Sequence, residues 1–588
     1  MNNFVMLRGL GRQVDPSLLR RTQALVCRPD QFSSKEIVWG SRDGKSVFIG
    51  REGCAPTGFH ADERGTARWL VGEPIQWRGE ADCELVTSPR WRDDEAENYD
   101  GRFVCMSLDV DRGLRVFTDP LGLLPVYWVE LDGALALSPN PGLLRSLVDH
   151  SSALDPTAVA TLLALGFVST DRTPVGGIHR ISPSHNYHVS ALDFQQLRKH
   201  ANAPRLNQFE SGLEPQRAAR LLNAITSGAA AYADEHGLTL DVGLTAGRDS
   251  RLLLASLASQ GQVRQFFTAL YPTDGYYRHS PDARVAAHLA DLRSMPHQLL
   301  DLGVLGEYFM RPAALLEEVA RWSAGSLSVE DAKFVRIDRW SRRELVLGGS
   351  GAELARSYYG LVDSTDFDSA ARSLHTEVVG SYPVPLTTAG RDLLTLHVRS
   401  LAKAWVDDGL PLRLLLERWY LHRDQRWMAT LQGWANSFSR TVNPFLSSRL
   451  LPDLWGGTDA DRASERFHRE LIAALAPELA TPAFFKGRWE RWDVYPRTIK
   501  QGKLTTLAGK IAREGKRRIR ATAFKAPLAA ARNEVDCWLD SPGHDIWEVF
   551  DHKAIAALAR KPLVIAHPAE ERYLQRAGTI FSTLRQCP

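Results

Sequence analysis

A change of texture near residue 204 constrains this chain more than any single motif. Before it, short segments rich in β-branched and aromatic residues recur: EIVWG (36–40), SVFIG (46–50), GRFVCMSLD (101–109), LRVFTD (114–119), VYWVE (126–130) and ALALS (134–138). Gly, Asp, Pro or Arg-rich turn material bounds each one, which predicts antiparallel strands. One helix is predicted over Pro156–Leu165, ending near Gly166. After the change, RAARLLNAITSGAAAYA (217–233) sets Leu221, Leu222, Ile225, Ala229 and Tyr232 at helical spacing. LTLDVGL (238–244) then reads as a buried strand and RLLLASLASQG (251–261) as a helix closed by glycine. QFFTALY (265–271) reads as a strand and DARVAAHLADL (282–292) as a helix. Strands alternating with helices imply βαβ units and a parallel sheet. Beyond about residue 370 the chain reads as mostly helical and rich in tryptophan.

A chain of 588 residues exceeds what one core organises, so at least two domains are expected, with a boundary in 200–215. A net charge of +3 argues against a nucleic-acid partner. Six scattered cysteines without a C-x-x-C pair suit neither a disulfide framework nor a zinc site. The start, MNNFVMLRGLGRQ, lacks signal-peptide character, and no apolar run approaches the ~20 residues needed to cross a bilayer. The expectation is a cytoplasmic, reduced, soluble protein without a membrane span. The basic stretch 500–525 reads as a solvated helix face, the seventeen histidines as structural or surface groups, and Trp405, Trp419, Trp427 and Trp434 as core.

Chemistry is concentrated in Leu244-Thr245-Ala246-Gly247-Arg248-Asp249-Ser250-Arg251, between a predicted strand and a predicted helix. Small residues let the backbone approach a ligand, and a helix N-terminus offers free N–H groups and a positive dipole end to a phosphate. Thr245 and Ser250 add hydroxyls. Asp249 suits such a place if Mg²⁺ stands between it and the phosphates.

This stretch resembles the pyrophosphate loop S-G-G-x-D-S of ATP-pyrophosphatase enzymes, with Thr for the first Ser and Ala for the first Gly. Ser280-Pro281-Asp282 resembles the S-P-D of asparagine synthetases, VLGGSGAELARSYYG (346–360) their V-L-S-G-E-G-A-D-E-L-F-G-G-Y, and RTVNPFLSSRL (440–450) their A-R-V-P-F-L-D-x-x-L. Ala352 stands where that family has a metal-binding Asp, followed by Glu353, and Ser447 where it has an acid. In the first half, DGRFVCMSLDVDRGLRVFTDPLGLLPVYW (100–128) and LDPTAVATLLALGFVSTDRTPVGGIHRISPSH (154–185) resemble its glutaminase domain. The resemblance implies an N-terminal Ntn-glutaminase-like antiparallel β-sandwich over 1–205. Over 206–588 it implies a parallel α/β domain with a pyrophosphate (PP) loop and a helical C-terminal region.

It further implies ATP and Mg²⁺ as cofactors. The implied ATP- and pyrophosphate-binding residues are Leu244, Thr245, Ala246, Gly247, Arg248, Asp249, Ser250, Ala269, Gly348 and Gly349. Asp249 and Glu353 would hold metal, and both would join Lys486 and Lys500 as catalytic candidates. A substrate carboxylate would be adenylated with release of pyrophosphate, and an amine would displace AMP. Partners would be the carboxylate and the amine, small molecule or peptide, with room for a partner protein or a homo-oligomer. Glutaminases of this class use a cysteine exposed behind the initiator Met; here Asn2 follows Met1 and the first cysteine is Cys27. Glutamine hydrolysis is therefore not expected. Relatives that lack this cysteine, the β-lactam and lasso-peptide macrolactam synthetases, close an amide within one substrate, so peptide cyclisation and natural-product or cell-surface amidation are the expected uses. The alternatives are a catalytically degenerate scaffold and a thiolation or tRNA-modifying ligase.

Overall fold

The computed structural model describes residues 4–10, 12–26, 36–51, 57–61, 66–86, 99–109, 113–148, 154–183, 185–189, 194–199, 214–270, 281–301, 312–334, 344–435, 440–482, 527–541, 543–561 and 567–585. Asn2, Cys27, Ser280, Lys486, Lys500 and the basic stretch 500–525 lie outside the described residues, as does the side chain of Trp434.

The first strands are β1 (Phe4–Gly9), β2 (Glu36–Gly40), β3 (Ser46–Arg51), β4 (Thr57–Ala61), β5 (Ala67–Trp77), β6 (Cys83–Leu85) and β7 (Tyr99–Asp109). They are followed by β8 (Gly113–Thr118), β9 (Tyr127–Leu131), β10 (Ala134–Ser138), β11 (Ile178–Arg180), β12 (His185–Val189) and β13 (Phe194–Lys199). Two antiparallel sheets result, in the orders β11-β9-β10-β1-β3-β2 and β13-β12-β8-β7-β5-β4, with β6 paired to β5. Phe4 and Met6 share a buried cluster with Trp69, Val71, Val104 and Met106 of the second sheet. Val5 and Leu7, on the opposite face of β1, cluster with Leu18, Val26 and Leu144. Because both faces of β1 are covered, its side chains are apolar nearly throughout instead of alternating. Trp69 fills the middle of the sandwich, its ring 5.1 Å from Trp39, 5.3 Å from Phe48 and 5.5 Å from Phe59.

The expected helix runs over Pro156–Leu165, capped by the Asp155 carboxylate on the Ala158 N–H and closed by Gly166 at φ 86°. From residue 215 the pattern becomes helix Pro215–Glu235, β14 (Thr239–Gly243), helix Arg248–Ser259, β15 (Gln265–Leu270), helix Pro281–Asp291, β16 (His297–Asp301), β17 (Glu344–Leu347) and β18 (Arg440–Val442). The sheet is parallel throughout, in the order β16-β15-β14-β17-β18. The chain builds outward from β14 in one direction and then returns to the other side at β17. In an open α/β sheet such a reversal of strand order leaves a crevice at the carboxyl ends of the two central strands. The helix expected from residue 251 starts three residues earlier, because extended Gly247 (φ −71°, ψ 170°) already opens it. Arg248, Asp249 and Ser250 are therefore its first turn. Trp405 and Trp419 are buried and Trp427 packs against the core. Among the described residues, no helix is long and apolar enough to cross a membrane.

Polar contacts join the antiparallel sandwich to the segments around β18. Asp100 of β7 accepts from Ser447 Oγ (2.5 Å) and from the Ser448 N–H (3.1 Å). A carboxylate thus does reach the place where Ser447 replaces an acid, but from more than three hundred residues earlier. Arg449 donates to the Gly79 carbonyl at 2.5 Å and lies over the Trp77 ring at 4.7 Å, while Arg426 pairs with Asp171 at 2.5 Å. Asp100→Ala strands the Ser447 hydroxyl, and urea unfolding should show a loss of about 2–3 kcal/mol. Ser448→Ala, which keeps the backbone donor, should stay within about 0.5 kcal/mol of the parent.

Candidate functional site

Three distant segments meet at the crevice between β14 and β17. The first is the turn after β14. Leu244 is buried and continues the sheet by donating its N–H to Phe267 O at 2.8 Å. Ser250 Oγ accepts from the Thr245 N–H at 3.0 Å, and Thr245 Oγ1 accepts from the Gly247 N–H at 3.0 Å. The Ala246 N–H donates to Asp282 Oδ1 at 2.6 Å, tying in the helix Pro281–Asp291. The methyl that Ala246 adds relative to glycine is fully buried in the main core cluster, which explains how the turn accommodates it. Ala269, on neighbouring β15, is half-buried. It is Thr268 that reaches the turn, donating to Leu244 O at 2.7 Å.

The second segment follows β17. A Cβ on Gly349 would stand 3.4 Å from Asp249 Cβ, so this backbone lies directly on the first turn of the helix. A Cβ on Gly348 would meet Asn443 Oδ1 at 2.2 Å, so a larger residue there would displace the Asn443 amide. Asn443 belongs to the third segment, after β18. Beyond Gly348 and Gly349, the 3₁₀ turn Ala352–Arg356 buries Ala352 and returns Glu353 and Arg356 toward Asp249.

Electrostatics centre on Asp249. His468 Nε2 lies 2.8 Å from its Oδ1, and Arg356 Nη2 donates to its Oδ2 at 3.2 Å. Burial alone would raise this carboxyl. The His468 hydrogen bond and the charges of His468, Arg356 and Arg248 outweigh burial and hold it below the usual carboxylate range. Glu353 shifts the other way, raised first by burial and then by the charge of Asp249. Its Oε2 accepts from the Gly351 N–H at 3.2 Å. Arg248 is paired with Glu465, a residue held at φ 51°. Behind Glu353 lies a buried group of Tyr420, Arg423 and Asp424, the last opening the π-helical turn Asp424–Met428. Burial pushes Asp424 up to about 7 despite its 3.2 Å pair with Arg423. The exposed Tyr358 ring, 5.6 Å from Tyr420, faces out of this group.

The sequence reading brought Thr245, Gly247, Asp249, Ser250, Gly349 and Glu353 to one place and missed Arg356, His468 and Tyr420. His468 is one of the histidines read as structural or surface groups, and it is fully buried against Asp249. Its signal was a histidine on the apolar face of the helix Arg466–Leu475, beside Phe467, Leu471 and Ile472. Arg356 was inside the glycine-rich stretch, one helical step beyond Glu353. The residues around Asp249 do not fit the expected Mg²⁺. Both carboxylate oxygens are engaged by nitrogen donors, and among the described residues no three His, Cys, Asp or Glu side chains group closely enough to hold a metal ion.

Residues 68–200 match the family model of the glutamine amidotransferase domain. The match covers β5 to β13 and starts beyond β1. No curated protein matches the chain. Among solved structures, glutamine phosphoribosylpyrophosphate (PRPP) amidotransferase from B. subtilis, complexed with ADP and GMP, aligns at 12% identity over 63% of this chain and 77% of that chain, with a TM-score of 0.21. A likeness that low carries no argument here.

Asp249→Ala removes the acceptor shared by His468 and Arg356, which should cost about 3–5 kcal/mol at neutral pH. Asp249 has a depressed folded-state pKa, so its contribution is present above the unfolded value and lost as pH falls through the folded one. Denaturation curves of parent and variant should therefore converge on acidification below about pH 4.

Proposed function

We propose that this chain is an ATP-dependent, AMP-forming amide-bond synthetase that adenylates a carboxylate and passes the acyl group to an amine without hydrolysing glutamine itself. The observation that carries the reading is the meeting of three motif segments at the strand-order reversal, with glycine backbone pressed against the first turn of the helix Arg248–Ser259. The N–H groups of that turn and its dipole favour a pyrophosphate. Thr245 and Ser250 fix the shape of the turn, and the cationic Arg356 adds positive charge beside it. In the reaction the substrate carboxylate oxygen bonds to the α-phosphorus of ATP while the bond to pyrophosphate breaks. An amine nitrogen then bonds to the acyl carbon, AMP departs with the bond electrons, and a base takes the amine proton. Glu353, whose carboxyl is raised, suits that proton acceptor.

Support for the absence of glutamine hydrolysis comes from the thiols. Among the described cysteines, Cys83 and Cys105 are buried in strands and burial pushes the Cys83 thiol up to about 12, unsuited to nucleophilic attack, while the exposed Cys537 lies outside the 68–200 match. The 68–200 match then supports a retained amidotransferase-type framework. The amine would be ammonia or a group on the substrate itself, as in peptide cyclisation or natural-product or cell-surface amidation. Tyr358, exposed with its ring 5.6 Å from that of Tyr420, would supply an aromatic wall for the acyl partner.

A second reading, a degenerate nucleotide-free scaffold, is favoured by the Ala246 N–H and the Asp249 carboxylate being satisfied within the protein. Turnover separates the two. Incubation with ATP, magnesium and candidate carboxylates, amino acids and peptides included, should release AMP and pyrophosphate in a substrate-dependent way. Ser250→Ala should lower the rate at least about tenfold while circular dichroism shows the fold intact. Release of ADP would overturn the adenylation assignment, and absence of both turnover and ATP binding would favour the scaffold.

A further inference from the structure

We infer that Arg356 and His468 take the place of a divalent cation beside Asp249, so that the crevice is a metal-independent polyphosphate site in which Arg356 is the phosphate-binding group. The inference rests on the nucleotide site proposed above and adds how that site balances charge.

Three observations carry it. His468 is wholly buried, on a helix packed against Arg248–Ser259, so the group 2.8 Å from Asp249 Oδ1 is held in place by the core and is not a surface side chain free to swing away. Its Nδ1 is buried and has no hydrogen-bond partner among the described residues. Arg356 closes on the other oxygen at 3.2 Å from a short 3₁₀ turn that starts at the buried Ala352, just after Gly351, where an added Cβ would meet Leu446 at 2.7 Å. A dication entering here would have to displace the nitrogen donors on both Asp249 oxygens or sit beside the fixed positive charge of Arg356.

A polyphosphate meets the opposite situation. The guanidinium of Arg356 has five N–H donors in a planar fork; one nitrogen serves Asp249, and its Nε is buried without a partner among the described residues. The side chain remains partly exposed, at 21%, so a ligand can reach it. Asp249 then aims an arginine instead of ligating a metal. Two nitrogens of a guanidinium can hold a phosphate bidentately, which an ammonium cannot reproduce.

The test is calorimetric titration of ATP and of inorganic pyrophosphate into the full-length protein, once in EDTA and once in magnesium, with Mn²⁺ binding followed by electron paramagnetic resonance. The inference expects ATP affinity in EDTA within about threefold of that in magnesium and no protein-bound Mn²⁺ in the absence of nucleotide. It expects Arg356→Met to weaken pyrophosphate binding in EDTA by about tenfold or more, with Arg356→Lys restoring only part. Thermal melts of both variants report whether the fold is retained. Binding that requires magnesium, with a Mn²⁺ signal lost in Asp249→Asn, overturns the inference and leaves the nucleotide site standing. Failure of ATP and pyrophosphate to bind under either condition overturns the inference together with the nucleotide reading.

Discussion

The carboxylate of Asp249 is the point on which the crevice depends. It comes from the first turn of a helix, yet its two oxygens are held by Arg356, 107 residues later, and by His468, 219 residues later. A buried carboxylate with one partner removed is costly, because the remaining charges lose their compensation in a medium that solvates them poorly. With both partners in place the turn after β14, the 3₁₀ turn after β17 and the helix Arg466–Leu475 are locked to a common origin. The opposite shifts of Asp249 and Glu353 fit the same arrangement: burial and then the Asp249 charge raise Glu353, while the donors on Asp249 hold that carboxyl down.

That lock brings backbone close to side chains. A Cβ at 348 would push aside the Asn443 amide and one at 349 would touch Asp249, so the two glycines ease the meeting of three segments at the carboxyl end of the sheet. The strand order β16-β15-β14-β17-β18 supplies the opening, and the antiparallel sheets close one flank by placing Asp100 on Ser447 and Arg449 on Trp77. A framework that resembles an amidotransferase over 68–200 thereby contributes directly to the rigidity of the third segment of the crevice.

Much of this was legible in the sequence, and the parts that were not share a cause. Strands such as Ala134–Ser138 and the helix Pro156–Leu165 carry their boundaries locally, in turn residues and caps. The eleven-residue strand β5 went unseen because ARWLVGEPIQW interrupts its apolar pattern with Arg68, Gly72, Glu73 and Pro74. Glu73 is tolerated there by Arg102, buried beside it at 3.2 Å, a compensation that no local window reveals. Arg356 and His468 were hidden for the same reason. Each looks ordinary in its own segment, and its role exists only through a partner far away in the chain. The missing acid at Ser447 was visible, but its replacement by Asp100 was not.

Hydrogen–deuterium exchange, followed peptide by peptide with and without ATP, tests most directly whether these segments form one nucleotide site. The account predicts that ATP slows exchange together in peptides covering 244–250, 348–356 and 440–447, while the strands of the antiparallel sandwich remain unchanged. Protection confined to one of those segments, or placed elsewhere in the chain, would contradict it.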